Sequence, residues 1–369
     1  MNRLIIIGAN DFQNQLILKA KSLGYETHVF AWEDGAVGKN NADYFYPISI
    51  VEKDKILELC REIAPCGVCS IASDLATITV NYVAENLGLP CNKTKFSAIQ
   101  TNKYMMRNAL NNAGITCPKY ITTGVKFDEA LLKDFNFPII VKPTDRSGSR
   151  CIMKLDSVVG LEKAIKDACD SSFESKAIIE EYIDGDEFSM ETITQNGVHH
   201  YLATTKKFTT GAPHFIETGH KQPSGLDDKT ISKAKSMIFD ALTALHVENS
   251  AGHSEFKVGK DGSINIIEIG ARMGGDCIGS DLVHLSTGND FVKMVIDVAV
   301  GNKIILNPSN DDYAEIKFLF NREDIDIMNT LLKDPSHDIV RISDMDYSHI
   351  GKTTDSSTRL GYYIWKKRK

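Results

Sequence analysis

The feature that most narrows the fold is the alternation of short apolar runs with helical patterns along the N-terminal part of the chain. Residues 4–7, 27–30 and 67–71 read as strands, and residues 12–23, 53–63 and 75–87 read as helices, the first closed by Gly24 and the last by Gly88. Parallel strands need a crossover between them, and a helix supplies it, so this repetition predicts a doubly wound parallel sheet and an α/β fold class. With 369 residues and 42% hydrophobic content, the chain has material for cores in two or three domains. The loop after the first strand, Gly8-Ala-Asn-Asp-Phe-Gln13, lacks the second and third glycines of a dinucleotide fingerprint. That argues against NAD, even with Asp34 following the second strand.

A second constraint lies far downstream. His253-Ser-Glu255-Phe-Lys-Val258 alternates as a strand, Lys260-Asp261-Gly262-Ser263 carries an Asp-Gly turn signal, and residues 264–270 read as the returning strand. If Asp261-Gly262 is a two-residue loop, Lys260 pairs with Ser263, and counting outward sets Glu255 opposite Glu268. Opposed side chains share a face with Cβ atoms about 4.5–5.5 Å apart. Two like charges there repel, and Mg²⁺, which takes hard oxygen ligands, is the natural compensating ion. An exposed hairpin with both carboxylates in water satisfies the same pattern, so the rest of the chain has to decide.

Between these regions the elements follow a definite order. Residues 102–112 read as a helix carrying Lys103 and Arg107, closed by Gly114. Residues 137–143 form a strand with Lys142 near its end, and Asp145-Arg-Ser-Gly-Ser-Arg150 is a polar loop leading to a strand at 151–155. A helix at 158–171, a strand at 177–183, a turn at Asp184-Gly185-Asp186 and a strand at 187–194 come next, then a long amphipathic helix at 229–245. Beyond residue 302 the pattern is mostly strands, with one short helix at 325–332 and an apolar strand ending at Trp365.

Bulk properties exclude several classes. A net charge of −7 argues against a general nucleic-acid binder, and the terminal Lys366-Lys367-Arg368-Lys369 reads as a solvated tail. No stretch approaches the length of a membrane-spanning helix, and the apolar run at the N-terminus is too short for a signal-peptide core. Cys66-Gly-Val-Cys69 is the only close cysteine pair, with no second pair to complete a zinc site, so buried reduced thiols and a cytoplasmic protein are expected.

Taken together, this ordered set resembles the ATP-grasp superfamily of carboxylate ligases over nearly the whole chain. The resemblance implies a fold that clamps ATP between two α+β subdomains, one of them a mobile lid, and a reaction that joins a carboxylate to an amine through an acyl-phosphate. It implies an N-terminal α/β domain at 1–95, an ATP-grasp domain at 96–300 with its lid at about 118–184, and a small β-rich C-terminal domain at 301–369. A carboxylate oxygen is a poor leaving group, and phosphoryl transfer turns it into a good one. That step needs cations arranged around the phosphates rather than covalent help.

By position, Lys103 and Lys142 match the lysines that reach the phosphates, and Ser147, Gly148 and Ser149 lie in the phosphate-covering loop, where small residues let backbone N–H groups approach oxygens. Glu180, Glu181 and the backbone of Tyr182 and Ile183 match the adenine hinge, and Glu187 the ribose-binding acid. Glu255 and Glu268 fill the metal positions for one or two Mg²⁺ ions, with Mn²⁺ as a substitute. The usual third ligand, an asparagine two residues after the second acid, is replaced here by Gly270. Arg272 corresponds to the arginine that holds the transferred phosphoryl group, a task suited to a forked guanidinium.

The pattern His253-x-Glu255 with Glu268-x-x-Ala-Arg272 is similar to the L-amino-acid ligase and carnosine synthase branch. In that branch a glutamate and a histidine line the amino-acid pocket, and Glu217 and His220, in the segment from Pro213 to Pro223, stand at that spacing. The resemblance therefore implies small-molecule carboxylate and amine substrates, and it is compatible with a homodimer. Two alternatives stay open: a bicarbonate-phosphorylating enzyme of the carboxylase type, and an inactive nucleotide-binding module that has lost its third metal ligand.

Overall fold

The computed structural model describes residues 2–212, 215–309 and 312–367. Pro213, part of the expected substrate segment, and Arg368-Lys369 of the basic tail lie outside the described residues.

The N-terminal alternation folds as expected. Four parallel strands are ordered Tyr44–Tyr46, Glu26–Phe30, Arg3–Ile7, Gly67–Cys69. Leu4 and Ile6 pack on Leu16, Ile17 and Ala20 of the helix Asp11–Ser22, together with residues of the later helix Phe291–Ala299. Ile5 and Ile7 pack on the opposite face against Ile56, Leu57, Cys60, Ala76 and Val83. Both faces of the central strand are thus covered, which is why it is apolar at every position after Arg3. The edge strand Tyr44–Tyr46, too short to leave a periodic signal, was not anticipated.

The second sheet is antiparallel, ordered Tyr120–Thr123, Ala177–Glu181, Ile139–Pro143, Met153–Leu155. The helix Leu161–Ser171 covers it, burying Leu161, Ile165 and Ala168 against Ile139, Val141 and Ile179. This small unit falls within the stretch of about 118–184 that was expected to form a lid.

The third sheet has eight strands, ordered Ile264–Gly270, Ser250–Val258, Asp186–Gln195, Val198–Thr209, Glu217–Gln222, Ala314–Leu319, Gly361–Lys367, His337–Ile342. The helix Asp228–Ala244 packs Ala234, Ile238, Ala241 and Leu242 on one face of it, against Phe188, Met190, Phe256 and Ile266. Among the described residues the β-rich C-terminal segment forms no sheet of its own: Ala314–Leu319 pairs antiparallel with Glu217–Gln222 and carries the sheet onward. C-terminal residues are thereby brought beside the candidate substrate residues.

All eight cysteines are free, and Cys69 is buried, whereas Cys66 is only half-buried and donates to the carbonyl of Arg3. Among the described residues no helix is long and apolar enough to cross a membrane.

Candidate active site

The hairpin that carries Glu255 and Glu268 reaches the expected register by an unexpected route. Gly262 adopts φ +75°, its N–H donates to Gly259 O at 2.9 Å, and Gly259 N–H donates to Ser263 O at 2.9 Å. The loop is therefore the three residues Lys260-Asp261-Gly262, not the two-residue Asp-Gly turn, and Gly supplies the left-handed position that such a loop needs. That correction offsets the pairing by one residue, giving Val258↔Ile264 and Phe256↔Ile266. A β-bulge at Ile267 then restores it, so Glu255 does face Glu268.

Lys103 opens the helix Lys103–Asn112, which Asn102 caps, and its backbone N–H donates to Thr144 O at 2.7 Å, just past the strand that bears Lys142. The two lysines are thus fixed to one another through the backbone. Lys103 Nζ lies 2.8 Å from Glu268 Oε1. Lys142 Nζ lies 2.6 Å from Glu180 Oε2, and Arg107 Nε lies 2.6 Å from Glu180 Oε1. Burial alone would raise the Glu180 carboxyl, but Arg107 and Lys142 outweigh it and hold it down at about 2. Both Glu180 oxygens are therefore engaged by cations. Arg107 was not singled out as a site residue, although its spacing from Lys103 places both on one helix face.

Lys207 is the main residue that sequence reasoning missed. It is buried in the strand Val198–Thr209, paired with Glu255, and lies 3.2 Å from Glu187 and 3.8 Å from Glu217. Burial opposes its charge, yet the three carboxylates outweigh that and hold it well above the ordinary lysine range. His253 stands between Glu191 at 2.5 Å and Glu255 at 3.4 Å. Burial would lower its pKa, but Glu191 chiefly, with Glu255, raises it to about 9.

Lys103, Lys142, Ser147, Gly148, Ser149, Glu180, Glu181, Tyr182, Ile183, Glu187, Glu255, Glu268 and Arg272 all line one pocket. Within it, the Tyr182 N–H is engaged with Pro138 O at 2.9 Å and the Glu181 carboxylate with the Asn136 N–H at 2.8 Å. The Glu181 N–H is likewise engaged with Lys119 O at 2.9 Å and the Ile183 carbonyl with Lys257 Nζ at 3.1 Å, so these hinge groups are committed to the protein. Among the described residues, no three His, Cys, Asp or Glu side chains are grouped to hold a metal by themselves. Two facing carboxylates in a pocket with buried lysines nonetheless fit Mg²⁺, which is held through one or two carboxylates together with substrate phosphates.

A larger chamber of about 1420 Å³ adjoins this pocket, sharing Lys103, Glu255, Glu268 and Arg272 with it. Glu217 and His220 lie on its wall with Asp276, Phe318 and Arg359. Glu217 Oε2 accepts from Ser356 Oγ at 2.7 Å and from Arg359 Nη2 at 3.0 Å, while Ser149 Oγ of the covering loop approaches Oε1 at 3.4 Å. Arg359 Nη1 donates to Asp276 Oδ2 at 2.9 Å, and its guanidinium stacks 3.7 Å above the Phe318 ring. His220 is buried with its Nε2 3.6 Å from Asp276 Oδ2, and burial lowers its pKa against the opposing pull of that carboxylate. No local signal pointed to Asp276 or Arg359, which sequence separation hides.

The ATP-grasp domain family matches residues 135–281. An alanine–anticapsin ligase of Bacillus subtilis is 27% identical over 295 residues, covering 70% of this chain and 62% of that protein. The chain thus spans less than two thirds of this relative. An L-amino acid ligase from Bacillus licheniformis superposes with a TM-score of 0.80 at 20% identity, covering 100% of this chain and 94% of that one. An N5-carboxyaminoimidazole synthetase from Staphylococcus aureus, solved with ADP, gives a TM-score of 0.80 at 13% identity with the same coverage. Residues 135–281 thus match the ATP-grasp domain family, and the whole chain has the ATP-grasp fold.

Proposed function

We propose that the protein is an Mg-ATP-dependent carboxylate–amine ligase that acts through an acyl-phosphate on an amino acid or similarly small acid and releases ADP and phosphate. The observation that carries this reading is the position of Glu255, Glu268 and Arg272. They stand where a pocket lined by buried lysines meets a chamber large enough for small substrates. One or two Mg²⁺ ions held by the facing carboxylates would neutralise phosphate charge there.

The residues divide the work by charge. Lys103 and Lys142 leave their carboxylate partners to bind phosphate oxygens. A substrate carboxylate oxygen attacks the γ-phosphorus, ADP departs, and Arg272 stabilises the charge that develops on the phosphoryl oxygens. The amine then attacks the acyl carbon and phosphate leaves. His220, on the chamber wall beside Asp276, is suited to take the amine's proton. Similarity to an alanine–anticapsin ligase and an L-amino acid ligase supports an amino acid as one substrate.

The test is phosphate release from Mg-ATP across paired amino acids and small acids. Release dependent on both an acid and an amine is expected. AMP and pyrophosphate as products would sink the reading, and turnover stimulated by bicarbonate without an organic acid would replace it with a carboxylase-type reaction.

A further inference from the structure

Gly270 is where this chain departs from the ATP-grasp pattern, and the structure shows what occupies the space. A Cβ placed on Gly270 would lie 3.0 Å from Asp74 Oδ1, 3.1 Å from Arg272 Cζ and 3.2 Å from Arg272 Nε. Those atoms belong to one ion pair. Arg272 Nε donates to Asp74 Oδ1 at 2.8 Å and Nη2 donates to Asp74 Oδ2 at 2.9 Å. Asp74 opens the helix Asp74–Asn86 of the N-terminal domain, in the first turn after the Ser73 cap, where a carboxylate is favoured by the helix dipole.

The pairing uses the guanidinium in a particular way. Nε and Nη2 form its side edge, and Asp74 takes both. Nη1 donates to the Met273 carbonyl at 3.3 Å. Of the five donors of an arginine, one N–H on each terminal nitrogen is left, and Arg272 lines the pocket beside Lys103, Glu255 and Glu268. We propose that Asp74 is a positioning residue for phosphoryl transfer, holding Arg272 by its side edge so that its terminal nitrogens face the reacting group, with Gly270 bare to admit the pair. On this reading the chain has no side-chain ligand at 270 because a β-carbon there would press on the ion pair that orients Arg272. The N-terminal domain thereby completes the transfer site.

The proposal rests on the ligase reading, and wild-type phosphate release decides that reading first. With the substrates found, Asp74→Asn should lower kcat about 100-fold, the scale of a misplaced catalytic group, while KM for ATP and calorimetric MgADP affinity stay within about twofold of wild type. Asp74→Glu, which keeps the charge, should recover part of the loss. Asp74→Asn in an Arg272→Ala background should add nothing, because the residue acts through the arginine. Unchanged kcat in Asp74→Asn, or full additivity with Arg272→Ala, overturns the proposal.

A substrate-free arm separates the two ideas. Gly270→Ala should lower thermal stability in the wild type and much less in Asp74→Ala, where the pair is gone. Equal destabilisation in both backgrounds overturns the packing argument, whether or not any substrate has been found.

Discussion

Lys103 Nζ lies 2.8 Å from Glu268 Oε1, so a residue assigned to phosphate binding neutralises one assigned to metal binding. Lys207 and Glu255 form a second such pair. Under the proposed function the site therefore carries, already paired, the cations that a nucleotide needs and the carboxylates that its metal needs. Binding Mg-ATP would exchange partners rather than bury new unpaired charge, which limits the desolvation cost of assembling the complex. Glu268→Gln should cut turnover about 100- to 1000-fold. Full activity in steady-state phosphate release would mean that the metal assignment is wrong.

Glu180 holds two buried cations, Arg107 and Lys142. Glu180→Gln leaves both without their counter-charge, and the cost of such a break is about 3–5 kcal/mol. Urea unfolding should show a matching fall in midpoint. A loss below about 1 kcal/mol would mean that water reaches the pair.

The same triad sets an acid limit. The Glu180 carboxyl sits at about 2 in the folded chain against 4.5 ordinarily. A depressed carboxyl contributes stability that is fully present above the unfolded value and lost as pH falls through the folded one. That contribution, about 3 kcal/mol, should fade between pH 4.5 and pH 2. Glu180→Gln should show a shallower decline over that window in denaturant titrations, and an unchanged slope would assign the acid sensitivity elsewhere.

Lys207 is the cation shared by Glu187, Glu217 and Glu255. Removing it as Lys207→Met leaves three carboxylates facing one another. Divalent ions should then bind without nucleotide, and Mn²⁺ should raise the melting temperature of the variant more than that of the wild type. Equal shifts would show that the carboxylates are compensated by something other than Lys207.

Arg359 bonds to both Glu217 and Asp276 on the chamber wall. Arg359→Ala should raise KM for the acid or the amine about 10- to 100-fold, the range for losing a charge-assisted hydrogen bond, with KM for ATP unchanged. If KM for ATP rises equally, the C-terminal strands support the nucleotide pocket rather than the substrate wall.

How much of this was legible varied with distance along the chain. The covered parallel sheet followed from apolar runs such as residues 4–7, because strand and helix periodicities are local. The facing of Glu255 and Glu268 was anticipated through a turn that the chain does not make. A three-residue loop and the bulge at Ile267 each move the register by one, and the two offsets cancel. With a side-chain period of two, either alone would have turned one carboxylate to the other face.

The sequence by itself determined the covered parallel sheet, the lysine-tipped strand and the ordered acids of the hairpin, since each is written within a few residues. Only the tertiary structure decided which charge answers which. Asp74 meets Arg272 across 198 residues and Arg359 meets Glu217 across 142. The physical reason is that a buried charge requires a partner but not a neighbour in sequence. Packing of the domains selects that partner, and the bare backbone at Gly270 takes its meaning from the pair pressed against it.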